Sequence, residues 1–145
     1  MKTLAKMLFC ALLAVSMPAF AEMEKFGSLE VNYSVITTDT LTPAIAKAYG
    51  IERSARRGML TVAVVEPGKE GRSRHVSADV AVSATNLMDK VRAVKMRSVE
   101  EGSAIYYIGD FGVAPPDTLR FTMKISGVDV GKARTIEFQK NFPAP

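Results

Sequence analysis

The chain predicts an all-β fold: one sandwich of seven or eight short strands, with a single short helix after the first strand. Three features lead there. Apolar and polar side chains alternate through several short segments, turn-forming residues recur roughly every ten positions, and only Thr42–Gly50 carries helix start and stop signals.

The alternation begins with Leu29, Val31, Tyr33 and Val35, set against Glu30, Asn32 and Ser34, the pattern of a half-buried strand. Thr42 then suits a helix N-cap, Pro43 the first helical position and Gly50 the C-terminal stop. A helix of two turns is too short to stand alone, so it must pack on the sheet. Met59–Val65 is apolar except for Thr61 and predicts a strand buried on both faces. Glu66–Gly71 is a proline- and glycine-bearing turn. Val76, Ala78, Val80, Val82 and Ala84 keep period two. Val91–Val99 reads as one further strand, with Val94 and Met96 toward the core and Lys95 and Arg97 toward water. Ala104–Phe111 is a strongly apolar aromatic strand. After Pro115 and Pro116, Leu119, Phe121, Met123 and Ile125 resume the alternation, and Ile136, Phe138 and Phe142 mark the last strand.

The N-terminus predicts location. Lys2 and Lys6 precede an apolar run, Met7–Met17, and Pro18 leads into Ala19-Phe20-Ala21, a signal-peptidase pattern. Residues 1–21 therefore read as a cleaved signal peptide, residues 22–145 as a single exported domain, and the destination as the periplasm. The apolar run is too short to span a bilayer, so no stable membrane insertion is expected after cleavage. Cys10 follows Phe9 rather than a small residue, which argues against lipidation. The leader holds two of the 19 basic residues and none of the 15 acidic ones, leaving 17 against 15. So balanced a domain gives no support to nucleic acid as a partner. Without its leader the chain has no cysteine, hence no disulfide and no thiolate chemistry.

Catalytic signals are sparse. His75, the sole histidine, follows Arg72 and Arg74 and reads as a solvated loop residue without metal-ligating companions. No serine stands in a nucleophile elbow. Asp110-Phe111-Gly112 spells a kinase tripeptide, but no phosphate loop accompanies it. No cofactor is expected, and the chain favours a non-catalytic binding or accessory module whose partner is another periplasmic or envelope protein. Arginine and aromatic side chains most often anchor such contacts. The candidate surface is therefore the Arg53, Arg56, Arg57 bend, whose planar forks suit phosphate or carboxylate, together with Asn86 and whichever of Tyr106 and Tyr107 faces outward. Two alternatives stand beside it: an enzyme built on Asp110, Glu101 and Arg57, and a carrier with a β-lined apolar cavity.

Gly102–Ile108 resembles the tyrosine-corner strand of immunoglobulin domains, with Tyr106 two places before Ile108 in the cysteine position and Gly102 where aspartate is usual. The sandwich expected is accordingly immunoglobulin-like. More broadly, three stretches resemble the bacterial domain-of-unknown-function family 4426, small exported proteins of Gram-negative bacteria. They are Pro43–Ile51 running on through Arg53-Ser54 to Arg57-Gly58, the segment around Ala84–Leu87, and Glu101–Ile108 followed by Leu119-Arg120-Phe121. The resemblance implies a periplasmic β-rich domain with no assigned activity, and it supplies no catalytic residues.

Overall fold

A computed structural model describes residues 22–145; the leader expected over residues 1–21 lies outside them. Among the described residues ten strands form two sheets. The first runs β1 (Glu22–Phe26), β2 (Leu29–Thr37), β3 (Arg57–Pro67), β8 (Ala104–Gly112), β7 (Arg97–Glu101), and β4 (Ser73–His75) shares the β3 edge with β8. The second runs β10 (Arg134–Phe142), β9 (Asp117–Ser126), β5 (Asp79–Thr85), β6 (Val91–Val94). Every pairing is antiparallel. The two-sheet sandwich is thus the expected class, with more strands than the seven or eight anticipated.

The extra strands have physical causes. β1 pairs with β2 through a Gly27-Ser28 loop, Gly27 taking the positive φ of +60° that a two-residue hairpin turn needs at its first position. Its residues show little apolar alternation, so the sequence left it unread. β4 pairs with only Val65–Pro67 and is too short to leave a periodic trace. Val91–Val99 is not one strand. It divides at Lys95-Met96, because β6 belongs to the second sheet and β7 to the first. Strands that change sheets at corners are a recurrent feature of such sandwiches. The phase slip from Val91 and Ala93 to Val94 and Met96 is the sequence trace of that switch.

At the crossing the connector passes directly over β8. A Cβ on Gly109 would lie 2.5 Å from Met96 Sδ and 2.9 Å from both Lys95 O and Val94 Cγ1, so only glycine admits the connector this close. Gly58 plays a related part: a Cβ there would lie 2.5 Å from the ring of Phe111, which covers it.

The core lies between the sheets. Leu60, Val62 and Val64 on β3 are fully buried, as are Leu119 and Met123 on β9. Each such side chain contributes roughly 1.5–3 kcal/mol by leaving water. Aromatic rings bridge the layers in series: Tyr33 to Phe138 at 4.6 Å between centroids, Phe138 stacked on Phe121 at 5.0 Å, Phe121 to Phe111 at 5.3 Å, and Phe111 to Phe142 at 6.3 Å. Two phenols tie edges down. Tyr107 Oη accepts from the backbone N–H of Ala78 at 2.8 Å, and Tyr33 donates to Glu22 Oε2 at 2.9 Å. Burial and that carboxylate together push the Tyr33 phenol well up from its ordinary range.

β3 is buried on both faces, as its unbroken apolar run implied: Gly58–Val65 are all buried. Its outer side carries Met59, which joins Ile51 and Ile108 in a second cluster, with Ile36, Leu41, Tyr49 and Val99 packed around it. The cover is the excursion between β2 and β3 that contains α1 (Pro43–Tyr49). The predicted caps are present: Thr42 Oγ1 accepts from Ile45 N at 3.2 Å, and Gly50 ends the helix at φ +64°. Thr38, fully buried, holds the two limbs of the excursion together. Its hydroxyl donates to Glu52 O at 2.7 Å and accepts from Ser54 N at 2.9 Å. The helix end is latched by Tyr49, which donates to Glu101, and by Arg97, which donates to Tyr49 O.

Two outcomes are expected. Gly109→Ala overpacks the crossing and lowers unfolding stability by roughly 1–3 kcal/mol in urea titrations; an unchanged midpoint would contradict the close approach of connector and strand. The bond to Glu101, reinforced by burial, raises the Tyr49 phenol from 10.0 to about 12. Because folding favours the protonated phenol, its stabilising effect is whole below pH 10 and is lost as the pH climbs from 10 to about 12. Alkaline absorbance titration should therefore show a phenolate component near pH 12 that Tyr49→Phe removes.

Candidate functional site

The residues singled out from the sequence take up different duties. Arg53 is exposed but engaged, its Nε donating to Leu41 O at 2.7 Å and its Nη2 to Asp39 O at 3.1 Å, so it braces the α1 excursion. Arg56 is exposed, while its backbone N–H and C=O are both used, on Ser54 Oγ at 3.0 Å and Val113 N at 2.8 Å. Arg57 grips one oxygen of Asp110 with two nitrogens, Nε at 3.2 Å and Nη2. Asn86 forms a turn: its Oδ1 accepts from the N–H groups of Met88 and Lys90, both at 3.0 Å. Tyr107 is the core tyrosine and Tyr106 the half-buried outer one, as opposite faces of one strand require.

One expectation from the sequence is corrected. His75 is not a solvated loop residue. It sits half-buried on β4, opposite Val65, with Nδ1 3.1 Å from Ile105 O and its ring edge-on to Tyr106 at 5.5 Å. Nδ1 therefore carries the proton in that contact, since a carbonyl only accepts. Tyr107 spends its hydroxyl on the backbone of Ala78, and Gly102 is the φ +60° residue of the β7–β8 hairpin.

The three groups of the enzyme alternative do not converge. Arg57 and Asp110 meet, but Glu101 lies opposite Ala104, six positions from Asp110 along β8. At the rise of an extended strand that is about 20 Å, beyond the spacing at which two carboxylates share a reaction. Glu101 is in any case committed to Tyr49. Among the described residues no group of three or more His, Cys, Asp or Glu is placed to hold a metal ion.

What the fold does assemble is a groove beside the α1 excursion, enclosing about 260 Å³ and lined by Ile51, Lys95, Arg97, Ile108, Gly109 and Asp110. Its origin is the crossing described above. Gly109 lines it without a side chain, the connector and the start of β7 bring Lys95 and Arg97 to the rim, and the nearly buried Ile51 and Ile108 make its apolar floor. The rim is cationic on balance. Its single carboxylate, Asp110, already has Arg57 as a partner, and a second arginine, Arg92, donates to Gly112 O at 3.2 Å further along the strand. With side chains 33% and 40% exposed, the Arg57–Asp110 pair is worth at most about 1 kcal/mol and can yield to a competing anion. Lys95 and Arg97 were missed because a continuous strand over Val91–Val99 would have turned them to open water.

Comparison with known proteins places this architecture. The family model described as a domain of unknown function, DUF4426, matches residues 23–143. The crystal structure of a DUF4426 family protein from Pseudomonas aeruginosa superposes with a TM-score of 0.71 at 35% sequence identity, over 86% of this chain and 96% of that one. No curated protein matches. The match runs through both sheets, the α1 excursion and the groove residues alike, and the chain belongs to the DUF4426 family.

Proposed function

We propose that the protein is an exported, periplasmic binding or accessory module, and that its groove receives an acidic segment of another envelope protein. The observation that carries this reading is the groove itself: an apolar floor under a rim of Lys95 and Arg97, whose one carboxylate is held by Arg57. Size narrows the occupant. At about 260 Å³ the space is smaller than the roughly 300–1,000 Å³ of pockets that enclose metabolites. It suits a side chain or a chain-terminal carboxylate with an apolar neighbour, the carboxylate meeting Lys95 and Arg97 and the neighbour resting on Ile51 and Ile108. Charge-assisted contacts of this kind are the stronger class of hydrogen bond, and their partial exposure makes them sensitive to salt. A carrier for bulky apolar ligands is disfavoured by the ring series that fills the space between the sheets.

The location rests on the leader-like residues 1–21, with their basic head, apolar run and Ala19-Phe20-Ala21 ending. N-terminal sequencing of the protein released from cells by osmotic shock should begin at Glu22; full-length protein confined to the cytosol would reject the export reading. For the groove, titration of the isotope-labelled domain with an acetylated Asp-Glu-Leu peptide should shift the amides of Lys95, Arg97, Ile108 and Asp110. Lys95→Ala with Arg97→Ala should weaken that binding about tenfold or more. Shifts confined to other faces, or a double variant that binds equally well, would remove the groove from consideration.

A further inference from the structure

The hairpin between β5 and β6 holds large apolar side chains out in water. Leu87 is 71% exposed, Met88 75%, and Val91, where β6 begins, 68%. This display is built rather than loose. The Asn86 carboxamide accepts two backbone N–H groups, and Asp89 N donates back to Asn86 O at 3.0 Å. Asp89 takes the left-handed φ of +57°, and its carboxylate receives Arg120 Nη2 at 2.9 Å. The result is a three-residue turn of a common hairpin type, with Leu87 and Met88 at its apex.

Cations predominate around the apex. Lys90 and Arg92 flank the apex in sequence, and Arg56 lies at the same end of the sandwich, where its carbonyl bonds Val113 just beyond the Gly112 carbonyl that Arg92 holds. Among the described residues none of these three cations has a carboxylate within ion-pair distance, while Asp89 is already balanced by Arg120.

We infer that this apex is a membrane-docking tip, with Leu87 and Met88 entering the headgroup layer of a bilayer and Lys90 and Arg92 meeting anionic phospholipid. A stable protein contact needs roughly 800 Å² of complementary surface from each partner, and a convex pair of side chains on a turn is a poor start for one. A bilayer interface asks for no shape match: a small apolar insertion and a few cations suffice for reversible attachment. No helix among the described residues is long and apolar enough to cross a membrane, so the contact is peripheral. The inference uses none of the groove residues and stands apart from the peptide-binding reading.

The absence of tryptophan offers a clean reporter. A chain of residues 22–145, the expected mature domain, is floated with vesicles of phosphatidylcholine alone or mixed with phosphatidylglycerol. Flotation with the mixed vesicles is expected, weakened by salt and reduced about tenfold or more by Leu87→Ser with Met88→Ser. The indole introduced by Met88→Trp should show a blue-shifted emission on mixed vesicles only. Because both positions are exposed, circular dichroism of the variants should match the parent. Failure to float, flotation unaffected by the double serine variant, or an unshifted emission from the Met88→Trp variant would overturn the proposal.

Discussion

A central strand with apolar side chains on both faces must be dried twice, and most of this architecture answers that constraint. The inner side of β3, with Leu60, Val62 and Val64, is covered by the second sheet, as in any sandwich. The outer side cannot be left to water, because Met59, Thr61, Ala63 and Val65 are buried there too. Near Met59 the cover is the α1 excursion with Ile51; near Val65 it is His75 and Tyr106, ring against ring. The hydrogen bonds of Thr38, the brace of Arg53 and the latch of Tyr49 on Glu101 keep the first of these covers in place. Without disulfides, such ties and the aromatic series between the layers carry the stability.

The groove is a by-product of the same covering. The excursion ends before it reaches the β6–β7 crossing, and the space left between them has hydrocarbon at its base and cations at its lip. Gly109 touches both features: it lets the connector lie against β8, and its backbone lines the groove. The Arg57–Asp110 pair then sets the local charge, removing the one acid from the lip without adding a strong bond of its own.

The arginines divide by duty in a way their clustering hid. Arg53, Arg56 and Arg57 are near neighbours in sequence, yet one braces a loop, one is exposed with its backbone engaged, and one neutralises a carboxylate. Arg53 and Arg57, four positions apart, thus hold different partners: loop carbonyls in one case and the Asp110 carboxylate in the other.

Local chemistry and period decided much by themselves. The sandwich class, the alternating strands β2, β5 and β9, the doubly buried β3, the capped helix from Thr42 to Gly50 and the opposite facing of Tyr106 and Tyr107 all follow from interactions between near neighbours in the chain. The family likeness and the absence of cysteine from residues 22–145 are also read directly from the sequence. Tertiary structure decided the rest: the division of Val91–Val99 between two sheets, the paired role of His75, the separation of Glu101 from Asp110, and the meeting of Lys95 and Arg97 with Ile51 and Ile108. The reason is that sheet membership is set by which distant strands offer hydrogen-bonding edges, and a two-residue period reads the same in either sheet.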